Sequence, residues 1–124
     1  MLPRKNRLIQ KKDFEVISRT GTFFSFGEVF LRIRRNNSEE TRIGFSVGIK
    51  FSPKAVERNK AKRQLREIFR KNIKNIEKGL DIMVSLKKSN KKEFSSNDLE
   101  QDVLAVLKKS KINIINLYKF LKHI

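Results

Sequence analysis

The chain has 124 residues and carries 30 Lys and Arg against 13 Asp and Glu, which gives a formal net charge of +17. Such a charge repels itself in the compact state and attracts polyanions, so nucleic acid is the leading partner class. The absence of cysteine excludes disulfides, thiolate zinc sites and a cysteine nucleophile. No apolar run reaches the roughly 18 residues that a membrane span needs, so we expect no membrane partner and a cytoplasmic location.

The N-terminal region begins with a basic stretch, residues 1–7, that we expect to form a mobile arm. A short amphipathic helix follows over about residues 9–19, where Phe14 and Ile17 lie one turn apart. Gly21 is typical of the position just past a helix end, so the helix is expected to stop before it.

Two segments alternate apolar and polar side chains, residues 28–35 and residues 42–47. A period of two predicts strands, and the Asn-Asn-Ser sequence between them is turn-forming, so we expect the two strands to pair as a hairpin. Gly44 and Ser46 are too small to cover their face of the sheet. That face either accepts an extended partner or is covered by another element, and the sequence leaves both possibilities open.

A long basic helix is predicted from about residue 53 to residue 78, because the Ser-Pro pair at 52–53 is a helix start and Gly79 a helix stop. Apolar residues recur at helical spacing on one face, which must be buried. The opposite face carries a row that we call the cationic ridge, made of Asn59, Arg63, Arg66, Arg70 and Lys74. Like charges at this spacing repel, so the cationic ridge is either a solvated surface or a site for a repeating anion such as a phosphate backbone.

The C-terminal third contains a further strand and one or two helices. Residues 80–86 alternate again, a capping cluster at 95–98 predicts a helix to about residue 109, and residues 112–124 have the apolar spacing of a terminal helix. The order of elements predicts one domain over residues 1–124. Its expected fold is an α/β (α+β) two-layer sandwich, with helices packed on a small mixed sheet of about four strands.

The sequence offers no evident group for acid-base or metal chemistry. The one histidine, His123, is the penultimate residue, and the acidic residues are scattered along the chain. Asp98 and Asp102 are four residues apart, but acids at the start of a helix are the simpler interpretation of that spacing. We therefore predict no catalytic residue and no metal site in this chain.

A longer motif resembles a known family. It consists of Phe45, Ser46 and Val47 with Lys50, then Ala55 and Val56, and then Arg58-Asn59-x-x-Lys62-Arg63-x-x-Arg66-Glu67. This pattern resembles the bacterial ribonuclease P protein subunit, and the likeness extends from Arg7 and Leu8 to the strand at 81–84. The resemblance implies an α/β domain with a left-handed βαβ crossover, against the general rule that such crossovers are right-handed.

The resemblance also implies a function and two sites. The family's protein assists an RNA subunit that removes the 5' leader of precursor tRNA, with Mg²⁺ required by the RNA-catalysed reaction and no cofactor bound by a protein motif. The residues assigned in this way to RNA-subunit binding are Lys50, Arg58, Asn59, Lys62, Arg63, Arg66 and Arg70. The residues assigned to leader binding, in a cleft between the first helix and the sheet, are Phe14, Arg32 and Ser46.

Two departures from the family pattern and one alternative function bear on this interpretation. Ser18 and Arg32 stand where many relatives have aromatic residues, so the cleft is expected to rely more on charge than on stacking. The expected partners are ribonuclease P RNA and precursor tRNA. The alternative is a structural, ribosomal-type protein that clamps folded rRNA, since its size and charge would be similar; it predicts no dependence on a precursor leader.

Overall fold

A computed structural model describes residues 2–87 and 96–110 of the chain, without the side chains of residues 96 and 97. The predicted terminal helix at 112–124 and His123 lie outside the described residues. The helices and strands are α1 (Lys11–Thr20), β1 (Thr22–Phe26), β2 (Val29–Arg35), β3 (Arg42–Ser46), α2 (Ala55–Asn72), β4 (Leu80–Leu86) and α3 (Ser96–Lys109). Short 3-10 turns at Arg4–Asn6 and Ile73–Asn75 complete the order.

The four strands form one mixed sheet in the order β1-β2-β4-β3. Strand β2 runs antiparallel to both β1 and β4, whereas β3 runs parallel to β4. Helix α2 connects these two parallel strands, so it forms the crossover of a βαβ unit. The predicted α/β class, with helices on a mixed sheet of four strands, is confirmed.

The predicted hairpin between the strands at 28–35 and 42–47 is wrong. Strand β4 lies between β2 and β3, and the hairpin is instead formed by β1 and β2, joined by a tight turn in which Gly27 has a φ of +57°. The Asn-Asn-Ser sequence does turn the chain, since Ser38 donates its backbone N–H to the Asn36 side-chain oxygen at 2.8 Å. Turn-forming residues determine only where the chain reverses. Which strand pairs with β2 is decided by β4, which is buried along most of its length.

Helix α2 is shorter than predicted at both ends. It begins at Ala55, because Lys54 is still extended, and Ser52 accepts the Lys54 backbone N–H at 3.1 Å in the turn that precedes it. It ends at Asn72, whose side chain donates to the Ile68 carbonyl at 2.7 Å. Gly79, with a φ of +84°, does not end the helix and lies in the turn that leads into β4.

One face of the sheet, which we call the core face, is covered by α2 and α3. The two central strands contribute Leu31, Ile33, Ile82 and Val84, and α3 adds its predicted apolar row, Leu99, Val103, Val106 and Leu107, all buried. Phe69 of α2 is fully buried and meets Phe45 of β3 edge to face, with ring centroids 5.7 Å apart. This single core fixes α2, so the opposite side of that helix faces solvent.

The other face of the sheet, the open face, carries α1 on only part of its area. Phe14 of α1 lies over Gly44, where a Cβ atom would come within 2.4 Å of the phenyl ring. An ion-paired cluster attaches α1 beside it: Arg42 forms two hydrogen bonds with the buried Asp81, at 2.9 and 2.7 Å, and approaches Asp13 of α1 at 3.5 Å. The α1 helix therefore lies over β2 and β4 and reaches β3 through Phe14, whereas Phe23 of β1 remains 48% exposed.

The N-terminal residues do not form the mobile arm that their charge predicted. Leu2 is 3% exposed and belongs to the core, and Asn6 donates its side-chain N–H to the Thr41 carbonyl at 2.9 Å. Leu8 donates its backbone N–H to the Ile43 carbonyl at 3.0 Å, which covers part of the free edge of β3. Apolar Leu2 and the strand edge, rather than the surrounding positive charge, decide the position of this segment.

Candidate nucleic-acid interface

The exposed side of α2 presents the predicted cationic ridge except for Lys74, which lies beyond the helix in the 3-10 turn Ile73–Asn75. Asn59, Arg63 and Arg66 are exposed, while Lys62 is half-buried on the same helix. Within residues 2–87 and 96–110, none of these four side chains has a hydrogen-bond or ion-pair partner. The donors of Arg63 and Arg66 therefore face solvent with no carboxylate to neutralise them.

Two other arginines of this helix are engaged within the protein. Arg58 donates to the carbonyl of the buried Ser52 at 2.9 Å, so it supports the turn that leads into α2. Arg70 forms a bidentate pair with Glu67, with the Nε to Oε2 distance at 2.9 Å. These hydrogen bonds lower the pKa of Glu67 and raise the pKa of Arg70. The predicted site placed Arg70 with Arg63 and Arg66, but the structure shows Arg70 already paired with Glu67.

The turn before α2 holds Lys50 on the surface beside exposed apolar residues. Phe51 donates its backbone N–H to the Gly48 carbonyl at 3.0 Å, which closes the turn and leaves Lys50 exposed. Ile49 and Val56 are 75% and 77% exposed, values unusual for such side chains. Sequence reasoning did not identify them as surface residues, although Val56 lies outside the buried stripe of α2, which begins at Ala61.

The predicted cleft between α1 and the sheet is present. A cavity of about 680 Å³ is lined by Lys11, Phe14, Glu15, Ser18, Arg19, Phe45, Ser46 and Met83. Of the two possibilities left open for the small residues of β3, cover by another element holds at Gly44, whereas an extended partner at Ser46 stays a prediction. Gly44 is covered by the Phe14 ring, whereas Ser46 is exposed at the cleft.

A second cavity connects this cleft with the cationic ridge. It has a volume of about 490 Å³, and its lining includes Phe14, Gly44 and Phe45 together with Arg66 of α2. Because β3 is the edge strand of the sheet, this cavity lies at that edge, where Arg7, Leu8 and Ile9 of the N-terminal segment also line it. The two sites predicted separately are thus parts of one surface.

Arg32 is in β2 and lies on the open face, where it is opposite Met83 of the neighbouring strand β4. It does not line the cleft; its guanidinium lies over the ring of Phe23 in β1, 5.1 Å from the centroid. Phe23 in turn contacts Phe30, with ring centroids 5.3 Å apart. Sequence reasoning noted an aromatic run at 23–26 but did not place Phe23 beside Arg32, because that contact depends on the β1–β2 register.

The described part of the chain contains no group of three or more His, Cys, Asp or Glu that could hold a metal ion. The acids on α3, Asp98 and Asp102, each have an interaction within the protein. In the same ranges, no helix is long and apolar enough to cross a membrane.

Comparisons with known proteins agree with this architecture. A sequence model of the family Ribonuclease P matches residues 2–111. The ribonuclease P protein component of Finegoldia magna is 38% identical over 104 residues, which cover 84% of this chain and 89% of the relative. The RNase P protein from Thermotoga maritima superposes with a TM-score of 0.75 at 34% identity, over 83% of this chain and 96% of the other. The Staphylococcus aureus RNase P protein gives a TM-score of 0.77 at 28% identity, over 87% and 97% of the two chains.

The family match covers the cationic ridge, the cleft and the sheet that joins them. It favours the ribonuclease P interpretation over the ribosomal alternative, because the similarity extends over most of both sequences and over the whole sheet. Both the fold and the sequence comparisons therefore lead to the same conclusion: the chain belongs to the ribonuclease P protein family.

Proposed function

We propose that this chain is the protein subunit of a ribonuclease P ribonucleoprotein, acting in the cytoplasm, and that it holds the 5' leader of precursor tRNA while the RNA subunit cleaves. The observation that carries the proposal is the continuity of the surface. The cationic ridge and the leader cleft meet at the edge of β3, where Phe14 and Arg66 line the same cavity. An RNA subunit bound on α2 and a leader bound in the cleft would thus lie side by side on the protein.

The cationic ridge is proposed to bind the RNA subunit, together with Lys50 and Arg58. Arg63 and Arg66 have exposed donors without protein partners, so phosphate contacts there displace only water and counterions. Each phosphate neutralised by a Lys or Arg changes the slope of log K against log salt by roughly minus 0.7 to minus 0.9. Asn59 and Lys62 extend the same side of the helix and are proposed to add hydrogen bonds to the backbone.

The cleft is proposed to bind unpaired leader nucleotides. Phe14 is half-buried and fixed over Gly44, so its ring is a preorganised surface for a base. Stacking on such a ring contributes about 1–3 kcal/mol per base and tolerates different sequences. Ser46 at the cleft supplies a hydroxyl, and Arg32 one strand further supplies positive charge.

The chain's own role in the reaction is proposed to be binding and charge compensation, with the RNA subunit holding the Mg²⁺ that cleavage requires. Positive charge at the leader offsets repulsion between the phosphates of the two RNAs, so the protein is expected to lower the Mg²⁺ concentration that the RNA needs. The residues described at the cleft supply no histidine and no cluster of carboxylates for acid-base work.

Cleavage of a 5'-extended precursor tRNA tests the proposal. The cognate RNA is assayed at near-physiological Mg²⁺ with and without the protein, beside a reaction that contains the protein alone. We expect the protein to restore cleavage, and the effect to disappear when the leader is trimmed to a single nucleotide. No restoration would contradict the proposal in favour of a ribosomal-type role, and cleavage by the protein alone would overturn the assignment of the chemistry to RNA.

A further inference from the structure

A basic cavity at the C-terminal end of α2 lies outside both the cationic ridge and the cleft between α1 and the sheet. It has a volume of about 380 Å³ and forms where the N-terminal segment, the residues before β3 and the 3-10 turn Ile73–Asn75 meet. We call it the lysine cavity and define it by Lys5, Lys74 and Lys78, which all line it. The helical spacing predicted Lys74 to lie on the cationic ridge, but α2 ends at Asn72 and Lys74 lines this cavity instead.

Buried residues fix the wall of the lysine cavity. The buried Asn6 donates its side-chain N–H to the carbonyl of the buried Thr41 at 2.9 Å. The Thr41 hydroxyl donates to the Glu77 carbonyl and accepts the Leu80 backbone N–H at 3.2 Å. Ile76, which is buried, adds apolar surface. These contacts preorganise the wall, so recognition of a ligand is left to the lysine ammonium groups.

The positive charge of the cavity is largely uncompensated. Lys74 and Lys78 are exposed, and within residues 2–87 and 96–110 neither has a hydrogen-bond or ion-pair partner. Lys5 approaches Glu40 at 3.6 Å, but such an exposed pair contributes little and leaves Lys5 able to turn to a ligand. Glu40 is the one acidic residue that lines the cavity in the part of the chain that the structure describes. Three cations against one carboxylate favour an anionic ligand.

The chemistry of the cavity fits a phosphate group. A lysine ammonium is a point charge with three donors, and it binds phosphate oxygens without a fixed geometry. A phosphate group carries up to two negative charges, so it gains more from several cations than a carboxylate does. The apolar atoms of Pro3 and Ile76 suit the sugar or base that accompanies the phosphate of a nucleotide. The volume is within the range of small-ligand sites, roughly 300–1,000 Å³.

We propose that the lysine cavity is a phosphate site, separate from the cationic ridge and the cleft, which binds the phosphate group of a nucleotide. The nucleotide is either part of the RNA subunit or a free molecule. Arg66 of the cationic ridge and Lys74 are eight residues apart, or roughly 12 Å at the helical rise, so one RNA strand is long enough to contact both.

The first measurement titrates the full chain with pyrophosphate at constant ionic strength and follows backbone amide signals by NMR. Because RNA is absent, the result does not depend on the proposed function. We expect the amides of Asn6 and Thr41 to shift with a Kd below about 1 mM. The double variant Lys74→Gln/Lys78→Gln is expected to weaken this binding by about tenfold or more, since it removes two charges from the site.

Lys71→Gln/Lys108→Gln is the matched control, because it lowers the net charge by the same amount and neither residue lines the cavity. It is expected to leave the pyrophosphate affinity measured at Asn6 and Thr41 unchanged. If these two amides report no Kd below about 1 mM, or if both double variants weaken binding equally, the cavity is not a phosphate site and the inference is wrong.

Assembly with the cognate RNA distinguishes the two sources of the phosphate. If the RNA subunit supplies it, Lys74→Gln/Lys78→Gln makes the slope of log K against log salt less steep by about 0.7–0.9, and the control does not. If a free nucleotide supplies it, assembly is unchanged and the holoenzyme binds radiolabelled pyrophosphate in a manner that the same variant abolishes. A holoenzyme that shows neither effect would contradict the inference, whatever the protein alone binds.

Discussion

The same residue type has opposite surroundings in two parts of this domain. Arg42, on the open face, forms a bidentate pair with Asp81, which is 1% exposed, and these hydrogen bonds raise the pKa of Arg42. Arg63 and Arg66, on α2, are exposed and have no carboxylate partner in the described ranges. A buried partner marks an arginine that holds the fold together, whereas an exposed arginine without a carboxylate is available to an external anion.

The comparison shows that net charge alone does not locate an RNA-binding surface. The Arg42 cluster lies close to the cleft between α1 and the sheet, and from sequence Arg42 would count equally as positive charge. Its charge is instead neutralised by Asp81 and Asp13, and it fixes α1 on the sheet. We therefore expect substitution of Arg42 to lower the free energy of unfolding, and substitution of Arg63 or Arg66 to weaken RNA binding without that loss.

The largest effect on stability is expected for Arg42→Met. It leaves the Asp81 carboxylate buried with only the Asn36 side chain, at 2.8 Å, as a described hydrogen-bond donor. Removing one partner of a buried pair costs about 3–5 kcal/mol, and α1 loses a tether. The free energy of unfolding is measured by urea titration at constant anion concentration. The control is Arg35→Met, which breaks the exposed pair with Glu77 and should cost about 1 kcal/mol or less; equal losses would contradict the comparison.

The next largest effect is expected for Gly44→Ala, because the added Cβ would lie 2.4 Å from the Phe14 ring. Overpacking of this kind costs about 1–3 kcal/mol and should displace the Phe14 ring, which lines the cleft between α1 and the sheet. The unfolding free energy and the affinity for a leader-bearing precursor are both expected to fall. Gly48→Ala is the control, since a Cβ there has no neighbour within 4 Å.

A double-mutant cycle makes the Gly44 prediction specific. In a Phe14→Ala background the ring is gone and the Leu8 Cβ, 3.0 Å away, is the remaining close neighbour of a Cβ at Gly44, so Gly44→Ala should cost less than in the wild type. If its cost is the same in both backgrounds, the close contact with Phe14 is not what excludes a side chain at Gly44.

Local sequence patterns predicted well those elements whose limits do not depend on which other element they pack against. The strand at 80–86 and the helix ending near residue 109 have the predicted limits, because alternation and apolar spacing are properties of the segment itself. The cationic ridge was predictable for the same reason from Asn59 to Arg70, which follow one another on one helix face, whereas Lys74 was misplaced because the helix ends at Asn72.

The parts that sequence did not predict depend on contacts between distant segments. The hairpin was assigned to the wrong pair because β4, about forty residues later in the chain, inserts beside β2. The N-terminal segment was predicted to be a free arm because basic residues dominate its composition. In the structure, burial of the single Leu2 in the core is enough to hold the segment in place. Within the site, neither the Arg70–Glu67 pair nor the place of Arg32 over Phe23 was predicted; the second follows from strand register.

Arg63→Ala and Arg66→Ala are expected to weaken assembly with the RNA subunit and to leave the unfolding free energy within about 0.5 kcal/mol of wild type. Each loses up to one phosphate contact, so the slope of log K against log salt should become less steep by about 0.7–0.9 per substitution. Assembly is measured by titrating labelled RNA at several salt concentrations. Lys71→Ala is the matched control, because Lys71 is on the same helix but pairs with Glu100 of α3. A similar change of slope for Lys71→Ala would show that the net charge of the protein, and not the position of the arginines, sets the salt dependence.

The smallest effect is expected for Glu67→Gln, which releases Arg70 to the cationic ridge. Assembly with RNA at low salt should tighten slightly and its salt slope should steepen, because Arg70 no longer shares its donors with a carboxylate. Folding lowers the pKa of Glu67, so the pair stabilises the protein above the carboxyl's unfolded pKa and ceases to do so as pH falls through the folded value. The stability difference between wild type and Glu67→Gln should therefore disappear at acidic pH. The control is Glu77→Gln, which releases Arg35 at a position away from α2 and should leave assembly unchanged. If Glu67→Gln weakens assembly, the prediction is wrong and Glu67 instead orients Arg70 for the RNA.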